Sequence, residues 1–335
     1  MMPRLSGFLG QFANRFLRHH NAREYQAANS PLLTKSEIQL LLQQVNNQGL
    51  EMMTGNEVHY RHAGDLRSVY LGQGLDFEES RLYQRGDDLR NMDWRTTART
   101  GKPYLKVYRE EHQPEWHFVI DRSATMRFGT AKLLKVTQAV RIAALMAYTA
   151  MGRGACIGGS LAQPDFLFLP CLAGEAGAFR LVETAIAPAP PLHPKESEIS
   201  SLWPALESLD SLIQRGARLV IISDFHGMDD DRSKLLLRLA HRHELIPIQV
   251  QDPVEMHLPD VGHAFFQNVS SEHRWLDTGD KAVRQAFAGQ SKKNRAACNE
   301  FFRRIGIAFH HVLTTDEPFE LVMHILAGHG SSLTR

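Results

Sequence analysis

The residues best suited to chemistry in this chain are oxygen donors placed where apolar runs stop. Trp116-His117-Phe118-Val119-Ile120 runs directly into Asp121-Arg122-Ser123-Ala124-Thr125. Further on, Leu219-Val220-Ile221-Ile222 ends in Ser223-Asp224. Short, β-rich apolar runs cut off by a carboxylate read as buried parallel strands of an open α/β sheet. In such sheets ligands bind beyond the carboxyl ends of the strands, where strand order reverses. In an extended loop Asp121, Ser123 and Thr125 project to one side and converge. A carboxylate and two hydroxyls are part of a shell for a hard divalent cation such as Mg²⁺, which takes about six oxygens and keeps several waters. Asp224 then binds directly or through water. The competing reading is structural, with Asp121 capping the turn and accepting backbone N–H groups.

The elements that must position these groups follow from the rest of the chain. Residues 1–54 read as helical, with a basic amphipathic stretch over 1–25 and Ser36 as a cap before Glu37-Ile38-Gln39-Leu40. The stretch over 1–25 lacks the long apolar centre and small-residue cleavage site of a secretory signal. A docking helix is the reading for it, with contact at a membrane surface as the alternative. Residues 55–115 change character: glycines recur and, between Asp76 and Arg109, six acids crowd against eight bases. That predicts a small β-rich or irregular subdomain stitched by ion pairs. From 116 to 330, strand and helix patterns alternate. A buried helix spans 131–151, a hairpin 155–169, a helix 175–186 and a proline-rich loop follows at Pro188, Pro190, Pro191 and Pro194. Helices at 201–215, 231–243 and 280–304 alternate with strands at 218–223, 245–250 and 307–312. Two weak strands are expected at 264–269 and 274–276, and a last helix begins at Glu317. The pattern predicts an α/β fold with a doubly wound, mostly parallel sheet.

Composition narrows the function classes. The formal net charge is +1, which does not recommend nucleic acid as a partner. Cys156, Cys171 and Cys298 show neither a zinc-type spacing nor a secreted disulfide framework, so a reducing cytoplasm is expected. No apolar run is long enough for a membrane helix, so no integral membrane segment is expected. The paired histidines lack the H-E-x-x-H arrangement of a helical zinc site, and no G-x-x-x-x-G-K-[ST] phosphate loop is present.

The D-x-S-x-T loop with a later S-D strand end resembles the metal-ion-dependent adhesion site of von Willebrand factor A-type domains, over about residues 116–325. In that family a threonine before the helix preceding the S-D strand supplies a further ligand. The corresponding segment reads Ser200-Ser201-Leu202-Trp203-Pro204-Ala205-Leu206. The resemblance therefore implies Asp121, Ser123, Thr125, Ser200 and Asp224 as the ligand set. Haloacid-dehalogenase-type phosphatases also place an aspartate after the first strand, in D-x-D-x-T. Here Ser123 stands where their general acid would be, and a hydroxyl cannot do that work at neutral pH.

A second motif precedes the sheet: Tyr83-Gln84-Arg85-Gly86-Asp87-Asp88-Leu89-Arg90-Asn91-Met92-Asp93-Trp94-Arg95-Thr96-Thr97-Ala98-Arg99. With Leu105-Lys106-Val107 and the D-x-S loop, it resembles the signature of the bacterial domain of unknown function family 58, over about residues 60–330. Members are typically encoded beside MoxR-type AAA+ ATPases, and the resemblance implies work with such an ATPase or its client in assembly or maturation. Many members carry N-terminal membrane helices; this chain resembles the soluble subgroup. Tyr83, Gly86, Asp87, Asp88, Arg90, Asp93, Trp94 and Arg99 are either a structural staple or a partner-binding surface. In the structural version, Arg90, Arg95 and Arg99 pair with Asp87, Asp88 and Asp93, and Trp94 packs beneath.

The expectation is a non-enzymatic, Mg²⁺-dependent adaptor whose cation keeps one place open for a partner carboxylate. The alternative is a metal-assisted hydrolase using Asp224 or His226 as base.

Overall fold

The structure is a computed structural model, and it describes residues 30–54, 71–84, 87–109, 115–188, 201–267 and 273–331. The expected helix over 1–25, Gly64, Gly86, Ser200 and Pro190, Pro191 and Pro194 lie outside the described residues. The described residues fall into two compact units, one holding 30–54 and 115–331 and the other 71–109.

The larger unit opens with α1 (Lys35–Thr54). Its cap is Thr34 and not Ser36. The Thr34 hydroxyl accepts the Glu37 N–H at 3.3 Å while the Glu37 carboxylate accepts the Thr34 N–H at 2.7 Å. This reciprocal pair needs Ser or Thr three residues before an acid, and only Thr34 meets that spacing with Glu37.

The smaller unit pairs β1 (Leu71–Leu82) antiparallel with β2 (Tyr104–Arg109). Between them lie a 3₁₀ turn at Leu89–Asn91 and α2 (Trp94–Thr100). Gly101 closes α2 at φ 69°, the left-handed position that favours glycine.

The larger unit continues with β3 (Glu115–Asp121), α3 (Lys135–Gly152), β4 (Cys156–Ala162), β5 (Leu167–Ala173) and α4 (Gly174–Ile186). Then come α5 (Leu202–Leu209), β6 (Arg218–Ser223), α6 (Asp230–Ala240), β7 (Glu244–Gln251) and the short α7 (Pro253–Met256). A hairpin of β8 (His263–Gln267) and β9 (His273–Asp277), α8 (Lys281–Arg304), β10 (His310–Leu313) and α9 (Pro318–Ser331) complete it. The helix expected over 201–215 stops at Leu209, and the chain reaches Gly216 through turns.

Six strands form one sheet in the order β10-β7-β6-β3-β4-β5. All neighbours are parallel except β4 and β5, which form the expected antiparallel hairpin. The order explains the apolar runs, because β3 and β6 are central and covered on both faces. Phe118, Val119, Ile120, Val220, Ile221 and Ile222 are all fully buried. Trp116, Phe118 and Ile120 face α1, α3, α4 and α9, whereas Val119 packs on the side of α5, α6 and α8. That two-sided burial is why the strands read as continuous hydrophobic stretches. Close approach of α4 to the hairpin depends on Gly177, where a Cβ would lie 2.2 Å from the Leu172 carbonyl oxygen. From β3 the chain builds outward through β4 and β5, then crosses to β6 on the other side. The order reverses between β3 and β6, so Asp121 and Ser223-Asp224 end on either side of the switch point.

Candidate functional site

Asp121 ends β3 with 1% of its surface exposed. Its carboxylate accepts the Ser123 N–H at 2.9 Å and the Ser223 hydroxyl at 2.6 Å. The Ser223 hydroxyl in turn accepts the Phe225 N–H at 2.9 Å. Phe225 has φ 55°, the one non-glycine residue with positive φ among the described residues. The strain is held by packing: its buried ring meets Phe302 and Phe309 edge-on, with centroids 5.7 and 5.4 Å away.

The loop after Asp121 does not stay extended. Ser123 is extended, but Ala124–Arg127 close into a 3₁₀ turn. The turn still brings the hydroxyls together, with Ser123 Oγ 3.2 Å from Thr125 Oγ1. The Ser123 hydroxyl also faces Asp121, and the Thr125 hydroxyl faces Asp224. Four of the five expected ligands therefore line one edge, and Ser200 is the one outside the described residues.

The sequence did not announce the resident cation of this edge. Lys135, at the first turn of α3 and 1% exposed, places its ammonium 2.9 Å from Asp224 Oδ2 and 2.5 Å from Glu255 Oε1. Glu255 also accepts the Asp252 N–H at 2.9 Å in a capping box that starts α7. Asp252, fully buried, accepts the Thr130 N–H at 2.8 Å and the Thr314 hydroxyl at 2.9 Å. Polar groups thus run without a break from β10 to β3 along the carboxyl ends of the strands. The one sequence signal for Lys135 was a lysine in the first turn of an otherwise apolar, buried helix.

Electrostatics follow from this arrangement. Burial and then the nearby Asp224 carboxylate push Asp121 up to about 6, against the hydrogen bonds it accepts. Burial also opposes ionisation of Asp224, but the Lys135 ammonium outweighs it and holds Asp224 below the usual carboxylate range. Burial works against the Lys135 charge as well, and the two carboxylates more than offset it. The edge therefore holds a firm ion pair at Asp224 and a softer carboxyl at Asp121.

The donor set fits a hard cation in part. Adjacent ligands of an octahedral Mg²⁺ with bonds of about 2.1 Å lie roughly 3 Å apart. The 3.2 Å between Ser123 Oγ and Thr125 Oγ1 is close to that edge. Among the described residues no cluster of three or more His, Cys, Asp or Glu side chains has metal-binding spacing, so the hydroxyls must carry the fit.

The second motif is arranged differently from expectation. Asp87 forms a two-point pair with Arg81, at 2.8 and 2.7 Å, not with Arg90, Arg95 or Arg99. Asp88 accepts the Arg90 N–H at 3.0 Å and caps the 3₁₀ turn. Asp93 caps α2 through the Thr96 N–H at 3.0 Å and also takes the Ser80 and Thr96 hydroxyls at 2.6 and 2.7 Å. These bonds, the one from Ser80 foremost, hold Asp93 far below the usual carboxylate range. Unpaired N–H groups at helix starts claimed Asp88 and Asp93 ahead of the arginines. Tyr83 joins the strands through its backbone N–H, 2.9 Å from the Pro103 carbonyl oxygen. Trp94, expected beneath the turn, is 70% exposed.

An open α/β sheet with an oxygen-lined edge at its switch point defines the class of this protein. Residues 79–297 match the family described as "Protein of unknown function DUF58". An uncharacterized protein of Mycobacterium bovis is 34% identical over 245 residues, covering 72% of this chain and 76% of that protein. An uncharacterized protein of Mycobacterium tuberculosis matches to the same extent, 34% over 245 residues with 72% and 76% covered. The chain belongs to the DUF58 family. Among solved structures it is similar to the conserved hypothetical protein BatB from Bacteroides thetaiotaomicron, with TM-score 0.39, 12% identity, and 65% of this chain and 99% of that one covered. An aerotolerance-related membrane protein from Bacteroides fragilis gives TM-score 0.37 and 12% identity, with 64% and 97% covered. No helix among the described residues is long and apolar enough to cross a membrane.

Proposed function

We propose that this protein is a non-enzymatic, cation-dependent adaptor that captures a partner carboxylate at the carboxyl edge of its sheet. The observation that carries the reading is the Ser123–Thr125 hydroxyl pair, spaced like neighbouring ligands and flanked by Asp121 and Asp224. Ser123 and Thr125 would hold Mg²⁺, with Asp121 and Asp224 supplying negative charge. The cation would supply attraction for one carboxylate of the partner. The fold resembles von Willebrand A-type domains in its strand-end D-x-S-x-T and S-D. The family resemblance makes a MoxR-type AAA+ ATPase, or its client, the partner of choice, and the cysteine pattern favours a reducing cytoplasm as the compartment. A hydrolase is less favoured, because Asp224, the first of its two candidate bases, is already engaged by Lys135 and by the backbone N–H of the second, His226, at 3.0 Å.

The test is titration of the full chain with the neighbouring ATPase in Mg²⁺ and in EDTA, alongside Ser123→Ala with Thr125→Val. Binding in Mg²⁺ that is lost in EDTA and in the double variant is the expected result. Equal binding in all conditions refutes the cation bridge, and no binding in any removes the ATPase as partner.

A further inference from the structure

The acids described in the signature block are spent on local partners, whereas most of its bases are exposed without a carboxylate partner. Asp87 is spent on Arg81, and Asp88 and Asp93 on helix starts. Among the described residues no carboxylate forms an ion pair with Arg90, Arg95, Arg99 or Lys102, and all four are exposed; Lys106, also exposed, acts on the Asp93 carboxylate. Arg95 and Arg99 are one turn apart on α2 and share a face, next to the face that carries Trp94 and Ala98. Trp94 is 70% exposed and Leu89 58% exposed. A small unit that secures its own carboxylates yet presents an exposed tryptophan next to exposed arginines in sequence has an unanswered positive and apolar surface.

We propose that this surface, built on Trp94, Arg95 and Arg99 with Arg90 and Leu89 just before them, docks an acidic peptide segment carrying an apolar side chain. Charge complementarity fixes the acidic character, since guanidinium forks match carboxylates two-point. Tryptophan and arginine are also the side chains that most often anchor protein interfaces. Leu89 decides between protein and nucleic acid: an exposed leucine offers nothing to a phosphate backbone but packs on an apolar residue. The site uses no residue of the sheet edge and needs no metal.

The experiment uses the full chain in EDTA at low salt, so that failure of the cation-edge reading leaves it untouched. Fluorescence anisotropy follows labelled random Glu-Tyr copolymer, polyglutamate and oligodeoxythymidylate. The copolymer is expected to bind more tightly than polyglutamate. Trp94→Ala and the pair Arg95→Glu with Arg99→Glu should each weaken it by about tenfold or more. Lys292→Glu, an exposed change on α8, should leave it within about twofold. Every substituted side chain is exposed, so the variants fold, and matched melting temperatures check this. No saturable copolymer binding overturns the proposal. So does binding that both α2 variants leave unchanged. Oligodeoxythymidylate binding as tight as the copolymer, lost in the same variants, overturns it in favour of nucleic acid.

Discussion

Lys135 Nζ sits 2.9 Å from Asp224 Oδ2, between that carboxylate and Glu255. A protein-borne cation therefore already serves the edge at which a divalent cation is proposed. Its presence sets two expectations with opposite signs for one substitution. Lys135→Gln leaves buried Asp224 without its partner and should cost about 3–5 kcal/mol, the usual penalty for stranding a buried charge. The same variant removes a positive charge beside the hydroxyl pair and should bind Mg²⁺ more tightly, by about tenfold or more. Urea unfolding gives the first quantity and calorimetric titration the second. A variant as stable as wild type would show that the ion pair contributes no net stability.

Asp121→Ala tests a different property from the hydroxyls. Asp121 accepts from the Ser123 N–H and the Ser223 hydroxyl while 1% exposed. Truncation strands both donors, at about 1–3 kcal/mol each. The variant should therefore lower the urea midpoint even in EDTA. Ser123→Ala with Thr125→Val orphans neither of these donors and is the cleaner probe of cation binding. Stability of Asp121→Ala equal to wild type would mean that water or backbone rearrangement satisfies both donors.

The sheet and its edge were legible because they rest on signals the sequence cannot hide. Strands buried on both faces need unbroken apolar runs, and Ile120-Asp121 and Ile222-Ser223-Asp224 mark where the cover ends. Convergence of Ser123 and Thr125 was legible too, although a 3₁₀ turn achieves it where extended alternation was expected. Lys135 was not legible. Its partners lie 89 and 120 residues away, and only the folded order of β6 and α7 brings them to α3. In the signature block, closeness in sequence suggested pairing Arg90, Arg95 and Arg99 with the nearest acids. Helix starts compete for the same acceptors, and Ser80 and Arg81, which reach Asp93 and Asp87 from β1, carry no local sequence signal of that pairing.

Trp94→Ala now carries a prediction opposite to burial. A core tryptophan would cost about 3–5 kcal/mol on truncation. At 70% exposure the change should lie within about 0.5 kcal/mol of wild type. Thermal and urea unfolding of the full chain measure it. A loss of several kcal/mol would mean that the ring is covered in solution.

His117 predicts the pH dependence of stability. Its ring is fully buried in the sheet, stacked on Phe168 at 5.3 Å, with Nε2 2.7 Å from Ser160 Oγ. Burial, with a smaller contribution from His243, pushes it down to about 3. An unfolded histidine titrates near 6.5. Between those values the unfolded chain binds the proton and the folded chain does not, so stability is intact above about pH 6.5 and falls with acid. The slope from one such group approaches about 1.4 kcal/mol per pH unit. Asp121 acts in the opposite sense: raised to about 6, it binds its proton in the folded state first, and its contribution is lost as pH rises from about 4 to 6. The net profile mixes the two, so wild type must be compared with His117→Gln. Urea midpoints at pH 7.5 and 4.5 should fall further apart in wild type than in the variant. The variant itself should be less stable at pH 7.5, because a glutamine fills the space between Gly158 and Phe168 poorly. An equal drop in both proteins would assign the acid sensitivity to other groups, such as the buried His243 or paired carboxylates, and remove His117 from it.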